Sequence, residues 1–477
     1  MFKNAAEIFA YIKKEDVKLV DVRFTDLPGI QHHFNVPVES FDEAVFTDGL
    51  MFDGSSIRGF QTINESDMKL LPVPESAYID PYRKEKTLII IFSVHNPVDN
   101  TPYSRDPRGV VARAVDYMRS LGIADTAFFA PEAEFYVFDS VRFKTGINSA
   151  VHEIESYEGA WNTGVEYDAD GTPNRGYRTR VKGGYFPVSP TDQFADLRDE
   201  MVMQLGKVGL LVERSHHEVG TAGQMEINYR FTDILSAGDD VMKFKYVIRN
   251  TAWQGGKTAT FMPKPFTDHP GSGMHTHFSL FEGDKNAFFD PAAPYHLSNV
   301  ARQFMAGILR HAPELTLVTN QYVNSYKRLW GGGEAPSFVC WGHNNRSALI
   351  RVTLYMQYKG QSSRIDFRAI DSAANPYLAY ALILAAGMKG IDEEYPLPAE
   401  SEDNVWALTD AERRAMGIQP LPQSLDHAIK KLEESELAAE TLGEEVFSYV
   451  LANKRREWSE YRSQVTPFEL KHNLESL

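Results

Sequence analysis

The chain has 477 residues, 43% of them hydrophobic, which is enough for a large buried core and for two or three domains. Its formal net charge of −16 argues against nucleic acid as the main partner, because phosphate backbones are bound by basic surfaces. No apolar run is long enough to predict a membrane span. The single cysteine, Cys340, excludes an internal disulfide bond and favours a reducing, cytoplasmic environment.

The start of the chain predicts a small α+β domain. Residues 1–18 have the spacing of a short amphipathic helix and lack the features of a signal peptide. Residues 17–24 alternate as a half-buried strand does, and residues 30–38 and 86–94 predict two further strands. Turn-forming residues follow the last of these strands. We therefore expect one domain over residues 1–103 and a second over residues 104–477.

The second domain begins with a predicted helix over residues 110–121, followed by a strand over residues 128–138. Residues 161–180 are polar and rich in turn formers, which predicts a long exposed loop or hairpin. Near the end of the chain, Ser424 is placed to cap a helix with one apolar face. A further helix is predicted over residues 446–458.

Four segments of the second domain alternate like strands but carry unusual polar faces. These faces consist of Glu132 and Glu134; Glu226, Asn228 and Arg230; His275, His277 and Ser279; and Arg364, Asp366 and Arg368. An ordinary amphipathic strand turns its polar face to water, and for any single segment that interpretation stays open. Together, however, the faces hold carboxylates, imidazoles and guanidiniums with few of the Lys, Thr and Ser residues typical of exposed strands. The combination predicts a sheet curved around a polar cavity.

Crowded carboxylates in such a cavity would repel one another and raise their pKa values. Divalent cations such as Mg²⁺ or Mn²⁺ would relieve that repulsion, since they prefer carboxylate oxygens with some imidazole. The arginines would then hold anionic substrates. The adjacent histidines His216 and His217 precede Glu218 without the spacing of a zinc protease, and at most one of them can share its face. Residues 255–258 resemble the last part of a P-loop, but the first glycine of that motif is missing. If the protein binds ATP, it does so without a Walker motif.

Together the segments resemble the bacterial class I glutamine synthetases over essentially the whole chain. MFDGSSIRGF (51–60) is similar to the N-terminal signature of that family, and KPF…GSGMHTHFSLF (264–281) is similar to its ATP-region signature. Other matching segments follow in the family's order: PEAEF, HHEVGTAGQMEINYRF, NSYKRL, GGEAP, NRSALIRV and NPYLAYALILAAG. The resemblance implies a small β-grasp-like N-terminal domain and a large catalytic domain with a curved antiparallel sheet flanked by helices. It also implies a homo-dodecamer of two stacked hexameric rings, with active sites formed between neighbouring subunits.

The resemblance further implies ATP, glutamate and ammonium as substrates, with two or more Mg²⁺ or Mn²⁺ ions in each site. One metal would be held by Glu134, Glu218 and Glu226, and the other by Glu132, His275 and Asp366. The implied ATP site consists of Phe231, His277, Ser279, Arg346, Arg351 and Arg364. Glutamate would be bound by Arg328, Arg368 and Gly271 beside Glu134 and His275. The implied ammonium pocket combines Tyr185 and Glu218 with Asp53 and Ser56 of a neighbouring subunit. Asp53, Arg346 and Glu334, the last on a closing flap, would act in catalysis.

Some positions depart from the family pattern, and two alternative functions stay open. Asp366 stands where the family usually has glutamate, which shortens the arm by one methylene, and Pro270 replaces a common asparagine. The first alternative is a γ-glutamyl ligase that uses another amine, against which the implied ammonium pocket argues. The second is a non-catalytic regulatory paralogue, which is disfavoured because the implied metal and flap positions all carry acidic residues.

Overall fold

The computed structural model describes residues 2–61, 66–167, 171–332, 335–353 and 359–476. The α-helices in this part of the chain are α1 (Ala5–Glu15), α2 (Pro107–Ser120), α3 (Ala195–Lys207), α4 (Ile234–Gln254), α5 (Asn299–Thr319), α6 (Val323–Trp330), α7 (Pro376–Asp392), α8 (Asp410–Ala415), α9 (Leu425–Glu433), α10 (Glu436–Leu442), α11 (Glu444–Arg462) and α12 (Pro467–Asn473). Among the described residues, no helix is both long and apolar enough to cross a membrane.

The strands are short at the edges of the fold and long at its centre. They are β1 (Leu19–Thr25), β2 (Gln31–Pro37), β3 (Leu50–Asp53), β4 (Asp67–Ile79), β5 (Thr87–His95), β6 (Thr126–Phe138), β7 (Ser140–Thr145), β8 (Ala150–Glu155), β9 (Val212–His217), β10 (Gln224–Tyr229), β11 (Thr232–Asp233), β12 (Thr258–Thr260), β13 (Met274–Glu282), β14 (Lys285–Asn286), β15 (Phe338–Val339), β16 (Trp341–His343), β17 (Ile350–Val352), β18 (Ile365–Phe367) and β19 (Gln419–Pro420). The two longest, β4 and β6, each belong to one of the two main sheets.

The N-terminal sheet has the strand order β2-β1-β5-β4-β3, with β1 and β5 parallel and the other pairs antiparallel. Helix α1 begins after Asn4, whose side chain accepts a hydrogen bond from the amide of Glu7. Ile8 and Ile12 of α1 are buried against the apolar face of this sheet. The predicted first helix and the strands expected over 17–24, 30–38 and 86–94 are confirmed.

The second sheet follows the path β16-β17-β18-β13-β6-β10-β9, with β11 and β12 paired to β6 and β14 paired to β13. All of its pairs are antiparallel except β16 with β17. Helices α4, α5 and α7 contribute to the large core that also contains the apolar sides of β6 and β13. The predicted α+β architecture, with a curved antiparallel sheet flanked by helices, is confirmed.

The helices predicted in the second domain are also present. The helix expected over 110–121 is α2, and the helix expected over 446–458 lies within α11. The hydroxyl of Ser424 accepts a hydrogen bond from the amide of His427 and caps α9, as predicted. The segment over 161–180 is irregular in its described part apart from a short 3₁₀ turn, Asn162–Gly164.

Candidate active site

A cavity of about 690 Å³ opens over the polar face of four neighbouring strands, β18, β13, β6 and β10. These are the four strands whose polar faces predicted a curved sheet. The predicted site residues that line the cavity are Glu132, Glu134, Tyr185, Glu218, Glu226, Gly271, His275, His277, Arg328, Arg346, Arg351, Arg364 and Arg368. The arrangement concentrates carboxylates at one end of the sheet and arginines at the other.

Strand register brings these side chains together across the sheet. Glu134 of β6 lies directly opposite Glu226 of β10, and Glu132 lies opposite His275 of β13. On the other side of β13, His277 lies opposite Asp366. Side chains of directly opposed residues on one face are close neighbours, so each pair acts as a unit. A shift of one residue in any strand would turn its polar set into the apolar core.

The acidic part of the cavity is built around Glu134, Glu218 and Glu226. Oε1 of Glu218 lies 3.0 Å from Nε2 of His216, which is 4.0 Å from Oε1 of Glu226. Burial, followed by the charge of Glu218, raises the pKa of Glu134 to about 8. Burial and three neighbouring carboxylates raise the pKa of Glu226 well above its ordinary value. Without a bound cation, this cluster retains protons that isolated carboxyl groups would lose.

The arginine-rich part of the cavity has the opposite character. Burial alone would raise the pKa of Glu132, but His277 at 3.2 Å and the nearby arginines hold it at about 2. Asp366 is fully buried beneath the cavity wall and lies 3.0 Å from Arg351 and 3.3 Å from Arg368. Its Oδ1 atom has no hydrogen-bond partner. Its arginines make this half of the cavity suited to binding groups with negative charge.

Arg328 and Gly271 lie at the end of the cavity next to the start of β13. Arg328 is 5% exposed, and its two terminal nitrogens donate to the carbonyl oxygens of Ala369 and Arg368 at 2.8 and 3.2 Å. These bonds fix the guanidinium plane without neutralising its charge. The carbonyl of Gly271 accepts a hydrogen bond from the Gln224 side chain at 3.0 Å, which positions the loop before β13.

Some predicted residues lie away from the cavity. Ser279 and Phe231 do not line it, and Phe231 stacks edge-on against Phe128 with ring centroids 5.2 Å apart. Asp53 ends β3 of the N-terminal sheet and Ser56 lies in the 3₁₀ turn that follows, and the two oxygens of Asp53 accept hydrogen bonds from Ser55 and Ser56. The hydroxyl of Ser55 and its neighbours lower the pKa of Asp53, so the exposed carboxylate is ionised. The predicted flap residue Glu334 lies outside the described residues.

The cavity also contains polar residues that the sequence analysis did not assign. They include Lys182, Glu213, Arg214, His216, Asn228 and Lys264. The two-residue spacing between His216 and Glu218 was the available signal, since residues two apart on a strand share a face. Lys264 belongs to one of the family-like segments. It lies on an irregular loop, and the alternation of apolar and polar residues does not predict where side chains of such a loop point. Its pKa is lowered by burial.

His217 points to the other side of β9 and forms a buried pair with Glu158. Its Nε2 lies 2.7 Å from Oε1 of Glu158, and its Nδ1 lies 2.7 Å from the carbonyl oxygen of Glu218. Because both neighbours can accept a hydrogen bond, a protonated imidazole would donate to both of them at once. Although burial opposes the charged form, the bond to Glu158 raises the pKa of His217. The pair connects the segment after β8 to the backbone that carries Glu218.

Replacing His217 with glutamine should reduce the free energy of unfolding by about 3–5 kcal/mol, because Glu158 would remain buried without its cationic partner. The pKa of His217 is higher in the folded than in the unfolded protein. The stabilisation by its charged form is therefore complete at a pH below the unfolded-state pKa, about 6.5, and is lost as the pH rises through the folded-state pKa. Urea unfolding of metal-free protein should show a larger difference between wild type and His217→Gln at pH 6 than at pH 9. His472→Gln on α12 is the control, and a difference that grows with pH would contradict the assignment.

The donor set fits a hard divalent cation. Glu134, Glu218, Glu226 and His216 offer carboxylate and imidazole atoms, and one atom each from the last three lies within 4.8 Å of the others. Burial and, after it, the neighbouring carboxylates raise the pKa values of Glu134 and Glu226, so a bound cation would favour their ionised form. Burial lowers the pKa of His275 well below its ordinary value, which keeps its ring neutral and available as a ligand.

Two family models match the chain. The model for the glutamine synthetase catalytic domain matches residues 104–473, and the model for the glutamine synthetase beta-Grasp domain matches residues 16–97. A glutamine synthetase of Mycolicibacterium smegmatis is 51% identical over 432 residues, which cover 91% of this chain and 90% of the relative. One from Streptomyces filamentosus is 47% identical over 474 residues, covering 99% and 97%. The solved Plasmodium falciparum glutamine synthetase covers 99% of both chains at 26% identity, with a TM-score of 0.90.

Proposed function

Because the chain belongs to the glutamine synthetase family, we propose that it forms glutamine from glutamate, ammonia and ATP through a γ-glutamyl phosphate intermediate. The observation that carries this proposal is the division of one cavity into a carboxylate cluster and an arginine cluster. A carboxylate is a poor acyl donor, so the reaction needs a phosphoryl donor and a site that tolerates its charge. The arginine half of the cavity supplies that environment.

Glutamate would bind with its α-carboxylate against Arg328, whose guanidinium is fixed by backbone carbonyls. Arg368, which directly follows β18, also lines the cavity and would lie towards the reacting end of the substrate, while Gly271 would lie near its amino group. A pre-positioned guanidinium loses little entropy when it binds an anion. These residues therefore hold the substrate so that its side-chain carboxylate points to the centre of the cavity.

Arg346, Arg351 and Arg364 line the opposite wall, where the phosphate groups of ATP would lie. As the phosphoryl group moves to the glutamate side chain, these guanidiniums stabilise the negative charge on its oxygens. Mg²⁺ or Mn²⁺, held by Glu134, Glu218 and Glu226 and by Glu132, His275 and Asp366, would supply further charge neutralisation there. We propose that His277 contributes to the ATP site, with Ser279 and Phe231 farther along the sheet.

Ammonia is largely protonated near neutral pH, so an ionised carboxylate must bind the cation and accept its proton. Asp53 meets that requirement, since its hydrogen bonds to Ser55 and Ser56 keep it charged. It does not line the cavity of its own chain. We therefore propose that Asp53 and Ser56 reach the cavity of a neighbouring subunit, beside Tyr185 and Glu218. This arrangement requires a ring, and two stacked hexamers would provide twelve equivalent sites.

Isotope transfer tests the intermediate. Glutamate labelled with ¹⁸O in its side-chain carboxylate should transfer one labelled oxygen to inorganic phosphate, because that oxygen bridges carbon and phosphorus in γ-glutamyl phosphate. Mass spectrometry of the released phosphate provides the measurement, and glutamate labelled in the α-carboxylate is the matched control. Phosphate without label from the side-chain position, in a reaction that makes glutamine, would contradict the proposed route.

A further inference from the structure

A second cavity, of about 970 Å³, lies between β1 of the N-terminal sheet and one face of α4. It shares no lining residue with the catalytic cavity. Its far wall includes Ser372, whose hydroxyl donates to the carbonyl oxygen of Glu134 at 2.7 Å. The second cavity is therefore separate from the catalytic cavity but touches the backbone of the strand that carries the carboxylate cluster.

The lining of this cavity is positively charged although the protein as a whole is acidic. Arg23, Arg83, Lys245 and Arg249 line it, together with only two carboxylates, Asp21 and Glu457. Both carboxylates are already engaged, Asp21 with Arg23 at 2.9 Å and Glu457 with Lys454 at 2.9 Å. Within the described ranges, Arg83, Lys245 and Arg249 form no ion pair with a carboxylate. Asp371 attracts Lys245 from beyond ion-pair distance, but a protein with net charge −16 still leaves three cations around one cavity without a carboxylate in direct contact.

Lys245 is the most unusual of these cations because it is only 7% exposed. Its Nζ makes one long contact, 3.4 Å to the carbonyl oxygen of Ala374, and lies 5.8 Å from the centre of the Phe261 ring. Burial, followed by the charge of Arg249, lowers its pKa to about 7. A buried ammonium without an anionic partner is costly, and a bound anion would remove that cost.

Arg249 follows Lys245 by one helical turn and lies on the same face of α4. The centre of its guanidinium lies 5.3 Å from the same Phe261 ring, and the side chain is exposed to the cavity. Tyr82 and Trp253 add aromatic surface to the walls. The volume is within the range of small-molecule sites, about 300–1,000 Å³. The cavity therefore combines two adjacent cations with space for a ligand.

We propose that this cavity binds a small anion with carboxylate or phosphate oxygens, held by Lys245 and Arg249 on α4. The site is independent of the proposed reaction, because none of its residues takes part in glutamate, ATP or ammonium binding. Lys245 supplies a buried point charge, and Arg249 supplies a planar pair of donors suited to two oxygens of one anion. Arg83, at the rim, adds a third positive charge.

Residue-specific labelling tests the site in the intact protein. A trace of acetic anhydride should acetylate Lys245, and peptide mass spectrometry measures the rate in sodium chloride, sodium phosphate or sodium succinate at equal ionic strength. At an anion concentration about ten times the dissociation constant, acetylation of Lys245 should slow about tenfold. Lys243 on the same helix, paired with Asp240 at 3.0 Å, is the internal control and should keep its rate. Lys264 reports separately on any anion in the catalytic cavity.

The variant Arg249→Gln changes an exposed side chain, so the fold should be retained. In this variant, protection of Lys245 should need about tenfold more anion, as expected for loss of one charge-assisted contact. Protection by phosphate alone, by succinate alone or by both would support the site and identify the anion class. The proposal is wrong if neither anion slows acetylation of Lys245, or if Arg249→Gln leaves the protection unchanged.

Discussion

Replacement of Glu226 with glutamine is expected to abolish glutamine formation while the fold is retained. Glutamine has the same shape and can keep the contact with Asn228, whose side-chain nitrogen lies 2.8 Å from Oε1 of Glu226. It cannot supply a negative charge to a divalent cation. Groups that only support metal ligands change affinity or activity about 10–100-fold, so loss of a direct ligand should exceed about 100-fold. The measurement is the rate of glutamine formation across a titration of Mg²⁺ or Mn²⁺.

Thermal unfolding separates this effect from misfolding. The pKa of Glu226 is raised well above its ordinary value, so without metal the fold favours a neutral group at this position, and glutamine is neutral. The melting temperatures of wild type and Glu226→Gln should therefore agree without metal, and added Mn²⁺ should raise that of the wild type more than that of the variant, which keeps only the second set of ligands. Glu434→Gln, on the exposed surface, is the control. Full activity in Glu226→Gln would contradict the metal assignment.

Hybrid oligomers of two inactive chains should recover about one quarter of the wild-type activity per site. Asp53→Asn removes the proposed ammonium carboxylate from one surface, and Glu226→Gln inactivates the cavity on another. In a ring with random mixing, one interface in about four combines an intact cavity with an intact Asp53. Co-expression with two affinity tags, followed by purification on both, provides the hybrids for assay. Each single variant should be nearly inactive.

The control hybrid combines Glu226→Gln with Glu134→Gln. Both substitutions lie in the same cavity, so no arrangement of these chains restores a complete site. The hybrid of Asp53→Asn with Glu226→Gln should be more active than this control. If it is not, Asp53 does not act across a subunit interface. The comparison tests the shared site directly, because expression, tags and assembly are matched.

Much of the catalytic cavity could be predicted from alternation alone. Residues such as Glu132 and Glu134, or His275 and His277, must share a face if their segments are strands, and the structure places their strands side by side. The strand order itself was not predictable, because it depends on contacts between segments that are far apart in the sequence. Alternation limits Glu218 to one of the two adjacent histidines, and the structure shows that it is His216, two positions away on the same face.

Features that depend on packing between distant segments were not predicted. The pairing of Asp366 with Arg351 follows from the register of β17 with β18, which the local sequence does not encode. The second cavity was also missed, since Lys245 and Arg249 of α4 belong to no recognisable motif. Local patterns specify which face a residue occupies, whereas the partners across that face depend on the assembled core.

The choice of nucleophile is the most direct test of the proposed function. ADP release and product formation should be measured with ATP and glutamate, comparing ammonium with methylamine, ethylamine and hydroxylamine. A pocket formed by Asp53, Ser56, Tyr185 and Glu218 around a small cation should favour ammonium over methylamine in kcat/KM by about 10–200-fold, the usual effect of one methylene-sized group. That preference, with glutamine as the product, is the predicted result. A higher kcat/KM for an alkylamine, or no ADP release with any of the nucleophiles, would contradict it.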